Sequence, residues 1–345
     1  MAGDFPDFTQ VNLLTGFLGS GKTTLLKRLL TDPALENAAV LINEFGEIGL
    51  DHHLLERIDE TMVLLQSGCL CCTVRGELAD AIRDLHSKRD RGLVPPFDRI
   101  VIESTGLADP FPVLSTLKAD PVLRHHYKAG NVVTTVDAAN AARTLSLYGE
   151  STRQIAVADQ IVLTKADIAS PGAVAAVTAL VRRLNPDAAI LDGVADDFDA
   201  GALFSGDAAP QGDQLVSPGG FYADAPAIDL PHSAGVRSFV LETDEAIDWT
   251  VFGLWLTMLV NRHGDRLLRI KGILNLEGEE FPVAIHGVQH LVHTPVHMRL
   301  WPSDDRRSRL VFIVDGLDPA QILRSFRAFT GTRAGEAEAR LRAEG

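Results

Sequence analysis

The hydrophobic positions between residue 11 and about residue 191 form short continuous runs, and longer amphipathic stretches lie between most of them. Helical periodicity of hydrophobic and polar residues covers residues 23–30, 77–88 and 173–184, for example. Continuous apolar strands joined by helical crossovers are typical of a mostly parallel sheet whose two faces are covered by helices. The pattern therefore predicts an α/β domain with the buried strands VNLLT, AAVLIN, MVLLQ, RIVIE, NVVTTV, QIVLT and AAILD.

A different pattern occupies the second half of the chain. The stretch that follows the α/β pattern is rich in Gly, Ala, Asp and Pro without a sustained period, which is typical of a linker. The strands VRSFVLE, RLLRIKGILNL, FPVAIHG and RLVFIVDG then combine with a helix after Asp248 and a helix over residues 319–329. These elements predict a smaller α+β domain. The predicted organisation is an α/β domain over residues 1–193, a linker over 194–235, an α+β domain over 236–330 and a polar tail over 331–345.

Composition and charge narrow the classes of partner. The 345 residues are 46% hydrophobic and 23% charged, which is ordinary for a soluble globular protein. The 32 basic and 46 acidic side chains give a net charge of −14, which argues against nucleic acid and anionic membrane partners. No apolar run is long enough to span a bilayer, and the N-terminus lacks the apolar core of an export signal. The expected compartment is the cytoplasm.

A phosphate-binding motif lies at the start of the α/β pattern. Residues 16–23 read GFLGSGKT, which matches G-x-x-x-x-G-K-[ST] between the strand VNLLT and the helical stretch TTLLKRLL. In this motif backbone N–H groups converge on phosphate oxygens, the lysine reaches the terminal phosphates and the hydroxyl binds Mg²⁺. The predicted phosphate-binding residues are Gly16, Gly19, Ser20, Gly21, Lys22, Thr23 and Thr24.

Two further motifs favour GTP as the nucleotide. RIVIESTG places Glu103 at the end of a strand, where an acid holds Mg²⁺ through water, and Gly106 where its N–H faces the γ-phosphate. TKAD follows the strand QIVL, and its Asp167 is suited to accept hydrogen bonds from two guanine N–H donors that adenine lacks. Lys165 is expected to cover the ring, while Thr164 stands where Asn is usual and weakens one tether.

Asn185 is a weaker candidate for the same ligand. It lies in the loop before AAILD, where a second contact to the base is plausible by position alone. We therefore include it in the predicted nucleotide-binding set.

All three cysteines lie within four residues, in the segment QSGCLCCTV. Three soft ligands in one turn suit Zn²⁺, and Co²⁺ and Cu(I) are alternatives. A buried structural cluster and a redox site are the other interpretations. One element with three thiols is not the four-ligand set of a closed structural zinc site, so it favours a metal that is picked up and handed on. The predicted metal ligands are Cys69, Cys71 and Cys72.

The acidic segment NEFGEIGLD, residues 43–51, precedes the thiols and occupies the position of a nucleotide-sensing switch loop. Glu44 is the candidate that completes the metal site. Asp51 is a candidate to act near Mg²⁺ or the attacking water. A solvated acidic loop is the equally weighted alternative.

The motifs GFLGSGKTT, NEFGE, GCLCC, ESTG and TKAD occur in an order that resembles the CobW-like family of metallochaperone GTPases, which is related to the urease and hydrogenase nickel-insertion GTPases. The similarity continues to about residue 329 through KGILNL, GVQHLVH and RLVFIV. The resemblance implies GTP- and Mg²⁺-dependent delivery of a transition metal, often zinc, to a client metalloprotein. Cobalamin-synthesis and nitrile-hydratase-activator members leave cobalt insertion or activation of one metalloenzyme open. Thr164 and the absence of a long His-rich loop depart from the family pattern, and the latter argues against metal storage.

We hypothesise that GTP orders the 43–51 loop so that the thiols hold metal, and that hydrolysis releases it to a client docked on the second domain. Related insertion GTPases dimerise with nucleotide, although the sequence carries no interface signature. A GTPase switch with structural cysteines and a kinase-like P-loop enzyme remain the competing functions. Four histidines in twelve residues suggest either a second metal site or, as we favour, contacts with the first domain or with a client; they are His286, His290, His293 and His297.

Overall fold

The structure, a computed structural model, describes residues 8–42, 64–66, 74–204 and 235–331. These residues form two compact units that do not follow chain order. The parallel-sheet unit contains 8–141, 158–174 and 190–204 of the described residues, and the antiparallel-sheet unit contains 142–157, 175–189 and 235–331. The domain limits drawn from the sequence stay a prediction.

Among the described residues, seven strands form the first sheet, in the order β3-β2-β4-β1-β5-β6-β7. All pairings among its first six strands are parallel. Each predicted apolar run contributes one strand, so the predicted α/β architecture is confirmed. The strands are β1 (Thr9–Gly16), β2 (Ala38–Ile42), β3 (Leu64–Gln66), β4 (Arg99–Glu103), β5 (Tyr127–Asp137), β6 (Gln160–Thr164) and β7 (Ala189–Asp192).

Helices connect these strands, and three of them coincide with the predicted periodic stretches. The other four were not predicted, because they are short or, like FPVLSTLKA, apolar around most of their circumference. None of the helices in the described ranges is long and apolar enough to cross a membrane. The helices are α1 (Lys22–Leu29), α2 (Val74–Asp90), α3 (Phe111–Ala119), α4 (Leu123–His126), α5 (Ala141–Leu147), α6 (Gly149–Val157) and α7 (Pro171–Leu184).

The register of the parallel strands brings four carboxyl ends to one edge of the sheet. Leu14 of β1 pairs with Glu103 of β4, and Asp137 of β5 pairs with Thr164 of β6. Strand β1 is almost wholly buried, and apolar residues of β1, β2, β4, β5 and β6 form the core with α1. Both faces of a parallel sheet are covered, so polar chemistry is confined to the strand ends.

The second sheet is antiparallel, with the order β11-β10-β9-β13-β8 and β12 paired to β10. One face packs on two helices through an aromatic cluster in which Trp255 meets Phe312 and Phe326 edge to face. The predicted smaller α+β fold is thereby confirmed. Its elements are β8 (Val236–Thr243), α8 (Trp249–His263), β9 (Leu267–Leu274), β10 (Val283–Val288), β11 (Leu291–Val292), β12 (Val296–His297), β13 (Ser308–Asp315) and α9 (Pro319–Thr330).

Helices α8 and α9 have clear sequence signals at their ends. The carboxylate of Asp248 accepts a hydrogen bond from the N–H of Val251 at 2.8 Å, and that of Asp318 accepts from Ala320 at 3.0 Å. Pro319 occupies the first turn of α9, where its missing N–H costs nothing. Gly331 ends α9 in the left-handed conformation, with φ of 67°.

Candidate nucleotide site

The loop between β1 and α1 needs its glycines for conformation and for space. Gly16, Gly19 and Gly21 have φ values of 141°, 71° and 93°, a region that other residues rarely adopt. A Cβ atom on Gly16 would lie 2.3 Å from Oγ1 of Thr135. The loop therefore approaches β5 closely, and α1 begins directly after it at Lys22. Such a loop at a helix N-terminus directs backbone N–H groups at an anion.

The Lys22 side chain folds back over the loop from which it comes. Its Nζ donates to the carbonyl oxygens of Gly16 at 3.0 Å and Phe17 at 3.2 Å. The residue is only 8% exposed. The ammonium group is thus held beside the loop by two neutral acceptors, which a phosphate oxygen can replace with a stronger charge-assisted bond.

Thr23 and Glu103 meet across the sheet. The Thr23 hydroxyl donates to Oε1 of Glu103 at 3.1 Å, although the two residues are 80 positions apart. Glu103 is 6% exposed at the carboxyl end of β4, beside the end of β1. A hydroxyl and a carboxylate are oxygen ligands of the kind that Mg²⁺ takes together with phosphates and water. The donor set therefore fits Mg²⁺, as the sequence predicted.

The segment after β4 lies against the phosphate loop. A Cβ atom on Gly106 would lie 2.6 Å from the backbone nitrogen of Leu18, so only glycine fits there without displacing the loop. The Ser104 hydroxyl donates to Oγ1 of Thr15 at 2.9 Å. The two segments that are predicted to face the terminal phosphate are therefore in direct contact with each other.

Thr164 holds the phosphate loop from the side of β6. Its hydroxyl donates to the carbonyl oxygen of Ser20 at 2.7 Å. The Ser20 hydroxyl and the Thr135 hydroxyl lie 2.6 Å apart. Thr164 thus makes a direct tether to the loop, despite standing where Asn is usual. Its shape also matters, since a Cβ atom on Gly21 would lie 3.2 Å from its methyl carbon.

Lys165 makes a second connection to the same loop. Its Nζ donates to the carbonyl oxygen of Gly19 at 2.8 Å and to Oδ2 of Asp137 at 2.7 Å. Its backbone is in the left-handed region, with φ of 58°, which is uncommon outside glycine. Asp167 follows two residues later and is exposed.

Asp137 is a site residue that sequence reasoning missed. It is the last residue of β5, and its Oδ1 accepts hydrogen bonds from the N–H groups of Ala139 and Asn140 at 2.9 and 3.1 Å. Burial alone would raise the pKa of this carboxyl, but the hydrogen bonds from Lys165, Asn140 and Ala139 outweigh it and lower the pKa. The available signal was an acid at the end of an apolar strand, the signal that identified Glu103.

Asn185 has a structural role in the antiparallel-sheet unit. It is fully buried, and its amide nitrogen donates to the carbonyl oxygen of Ile155 at 2.8 Å. Its Oδ1 accepts from the N–H of Ala188 at 3.2 Å. These contacts occupy both the nitrogen and the oxygen of the amide, so they account for an asparagine at this position without a contact to the base. The contact to the base remains a prediction, and the burial of Asn185 disfavours it.

The metal-binding predictions lie outside the described residues. They concern the switch-loop acids Glu44 and Asp51 and the thiols Cys69, Cys71 and Cys72. Within the described ranges, no group of three or more His, Cys, Asp or Glu side chains could hold a metal ion. What the structure places are the strands that lead to these segments, because Ile42 pairs with both Glu103 and Gln66.

The four histidines of the second unit are dispersed among different contacts. The rings of His286 and His293 stack with centroids 4.6 Å apart and planes 5° apart. His290 contacts Asp265 through Nε2 at 3.1 Å. His297 lies 3.9 Å from Glu279. All of these partners belong to the antiparallel-sheet unit itself, so contacts of the histidines with the first domain or with a client stay a prediction.

A phosphate loop between β1 and α1, an acid on the adjacent strand, and a lysine–aspartate segment after β6 together define a P-loop GTPase. The family comparison agrees. Residues 10–192 match the family described as "CobW/HypB/UreG, nucleotide-binding domain", and residues 236–330 match "Cobalamin synthesis protein cobW C-terminal domain". The chain belongs to this family of GTPases, and the prediction from its motifs is confirmed.

Individual relatives match along most of their length. The zinc chaperone YjiA of Escherichia coli is 35% identical over 326 residues, which cover 94% of this chain and 98% of that protein. The zinc chaperone CobW of Pseudomonas aeruginosa is 30% identical over 350 aligned positions, covering 92% and 90%. The crystal structure of Zn(II)-bound YjiA GTPase from E. coli matches with a TM-score of 0.72 at 30% identity, covering 93% of this chain and 99% of that chain.

Proposed function

We propose that this chain is a cytoplasmic, GTP-hydrolysing metallochaperone that binds a transition metal, zinc by preference, at Cys69, Cys71 and Cys72 and transfers it to a client metalloprotein. The names of two relatives support zinc as the cargo, since both are zinc chaperones. The observation that carries the proposal is the hydrogen bond between Thr23 and Glu103 at the sheet edge where the strands leading to the acids and thiols also end.

The phosphate half of the mechanism follows from the loop and its neighbours. Backbone N–H groups of residues 16–21 receive the phosphates, and the Nζ of Lys22 exchanges its two carbonyl acceptors for terminal phosphate oxygens. Mg²⁺, once bound, would neutralise charge that develops on the transferred phosphoryl group. Thr23 would hold this ion directly and Glu103 through water, while Asp51 orients the attacking water and Gly106 contacts the γ-phosphate.

Guanine selection is assigned to the segment after β6. Asp167 would accept hydrogen bonds from two guanine N–H donors, and the Lys165 stem would cover one face of the ring. With adenine the carboxylate would be left without its donors, which penalises the wrong nucleotide. Thr164 supports this segment through its 2.7 Å bond to the phosphate loop.

The proposed coupling between nucleotide binding and metal binding depends on the short chain segments that connect the strand ends to the proposed zinc ligands. Neighbouring strands lie about 4.8 Å apart, so Gln66 of β3 is roughly 10 Å from Glu103 of β4, with Ile42 of β2 between them. Cys69 is three residues beyond Gln66, a span of at most roughly 11 Å. Glu44 is two residues beyond Ile42. Connections this short allow a change in the position of the Mg²⁺ ligands to alter the position of the thiols and of Glu44, the proposed zinc ligands.

Client docking is assigned to the antiparallel-sheet unit. Its helix α8 exposes the large apolar side chains of Trp249, Leu254 and Met258, which are 44%, 57% and 51% exposed. Leu254 and Met258 are four residues apart on this helix and therefore lie side by side. Contiguous exposed apolar groups of this kind are a feature of protein contact surfaces. A nucleotide-dependent homodimer is compatible with the proposal but is not required by it.

The decisive experiment measures zinc affinity in two nucleotide states. Zinc is titrated against a competing chelator with protein bound to Mg²⁺ and a non-hydrolysable GTP analogue, and again with Mg²⁺ and GDP. We expect binding to be at least about tenfold tighter with the analogue, since a switch of this kind works through differential affinity. The double variant Cys71→Ser, Cys72→Ser serves as the control and should lose both the tight binding and its nucleotide dependence.

Equal zinc affinity in the two states would overturn the coupling and leave the GTPase assignment standing. Unchanged zinc affinity in the double variant would overturn the thiol site. In that case the cysteines would be structural and the protein a GTPase switch.

A further inference from the structure

The carboxyl end of β5 carries a charged contact that the proposed mechanism does not use. Asp137 and Lys165 form an ion pair of 2.7 Å, with side chains that are 13% and 38% exposed. Their strands are neighbours, and Asp137 pairs directly with Thr164 in the sheet register. The pair therefore joins two strand ends at the edge where the phosphate loop lies.

Lys165 spans from this pair to the phosphate loop. One ammonium group donates both to Asp137 and to the Gly19 carbonyl oxygen at 2.8 Å. The left-handed backbone of Lys165 is a conformation that surrounding contacts must maintain. A flexible lysine side chain loses conformational entropy when it is held in one position, so a charged acceptor is the partner that fixes it most effectively.

Asp137 itself is rigidly placed. Its Oδ1 accepts hydrogen bonds from two backbone N–H groups in the turn after β5. Its Oδ2 accepts hydrogen bonds from Lys165 and, at 3.0 Å, from the side-chain amide of Asn140. The carboxylate therefore cannot follow the lysine if the lysine moves. This makes it a fixed reference point between the base-reading segment and the phosphate loop.

We infer that Asp137 is a positioning residue for guanine recognition, which acts by holding Lys165 so that the segment carrying Asp167 keeps a fixed distance from the phosphate loop. This inference rests on the proposed role of Asp167 in reading guanine. Asp137 contacts no reacting group and is not a catalytic residue. Its effect falls on the affinity for the nucleotide and on the choice of base, while the residues at the terminal phosphate are unaffected.

The test uses Asp137→Asn, which keeps an acceptor for the turn and removes the charge that holds Lys165. The dissociation constants of GTP, GDP and ITP and the turnover number at saturating GTP are measured on the full chain. ITP lacks the exocyclic amino group, so the ratio of GTP to ITP affinity reports on the Asp167 contact. We expect GTP and GDP affinity to fall about tenfold and the GTP:ITP ratio to fall severalfold, because a charge-assisted bond is lost. Turnover should stay within about twofold.

A double-mutant cycle shows whether Asp137 acts through the lysine. Lys165→Ala alone and combined with Asp137→Asn should bind GTP equally weakly, since the carboxylate has nothing left to position. Asp192→Asn is the matched control, because Asp192 also ends a strand and accepts the N–H of the residue two positions on, Val194, at 3.0 Å. It should retain wild-type affinity and base preference.

Three results would each overturn the inference. They are additive effects of the two substitutions on GTP affinity, an equal loss of GTP affinity in the Asp192→Asn control, and a fall in turnover without loss of GTP affinity. A normal melting temperature is required of each variant, and Asp137→Ser replaces Asp137→Asn if the latter fails to fold, since a serine hydroxyl can still accept from the turn and carries no charge. If the unaltered protein shows no preference for GTP over ITP, the proposed role of Asp167 fails. If it shows the preference and Asp137→Asn retains it, only the role of Asp137 fails.

Discussion

The two sheets of this protein place their charged residues differently. In the seven described strands of the parallel sheet, charged side chains occur only at the first two or the last position of a strand, as at Glu103 and Asp137. In the antiparallel sheet they occur in mid-strand, as at Arg269, which is 1% exposed, and Lys271. A parallel sheet covered on both faces has only its ends for chemistry, whereas an antiparallel sheet needs one apolar face only.

The charged face of the antiparallel sheet surrounds a buried acid. Both carboxylate oxygens of Asp187 are buried, and Arg182, Arg269, Lys271 and Arg309 lie within electrostatic range. Burial raises the pKa of Asp187, and the four cations offset this only in part. Charge in this unit is therefore part of its packing, while charge at the end of the parallel sheet is available to a ligand.

The largest effect is expected at the phosphate loop. Lys22→Ala removes the ammonium group that is predicted to reach the terminal phosphates, and we expect turnover to fall by roughly 10³-fold. Stability should change little, since Nζ hydrogen-bonds to carbonyls of its own loop, for which water can substitute. Steady-state phosphate release measures the first effect and thermal unfolding the second. Lys27→Ala, on the exposed side of the same helix, is the control and should hydrolyse GTP normally.

The opposite result is expected in the core of the antiparallel sheet. Phe312 is fully buried, stacks on Phe239 and meets Trp255 edge to face. Phe312→Ala should lower the free energy of unfolding of this unit by about 3–5 kcal/mol, because it leaves a cavity, while GTP turnover per folded molecule is retained. Chemical denaturation provides the measurement. Phe281→Ala is the control at a site that is 39% exposed, and an equal loss there would contradict the core assignment.

The smallest effect concerns Asp187 and has a pH signature. The folded-state pKa of Asp187 is raised, so its protonated form favours the folded state. This contribution to the free energy of unfolding is fully present below the ordinary pKa of 3.8 and is lost as pH rises through the folded-state pKa. Asp187→Asn cannot ionise, so it should gain on the order of 1 kcal/mol over the unaltered protein at pH 8 and gain nothing near pH 3.5.

Urea unfolding at the two pH values measures this difference. Asp305→Asn is a control of opposite sign, since the hydrogen bond from Arg307 lowers the pKa of Asp305, and its stabilisation is present above pH 3.8 and lost below. A loss of stability in Asp187→Asn at pH 8 would mean that the four cations dominate over burial.

The sequence was sufficient to predict elements with a regular hydrophobic pattern and residues that belong to a motif of fixed spacing. Seven apolar runs became seven strands, and Thr23 and Glu103, taken from two separate motifs, are in contact. Helix α3 was missed because five of its nine residues are buried and its apolar residues follow no single stripe.

Contacts that depend on strand order were beyond reach of the sequence. Asp137 meets Lys165 because β5 and β6 are neighbours, and no spacing along the chain encodes that neighbourhood. Asn185 was predicted by its position in the chain to contact the base, but a fully buried amide with backbone partners is explained by the turn that it supports. Burial and partners are properties of the fold, which a single sequence does not supply.

The contact between Gly106 and Leu18 has a mechanical consequence. The missing side chain leaves no gap between the segment after β4 and the phosphate loop, since even one carbon atom would meet the Leu18 nitrogen at 2.6 Å. Because these two segments are already in van der Waals contact, neither can move towards the other without displacing it. We therefore expect a nucleotide that displaces the phosphate loop to move the segment after β4 directly.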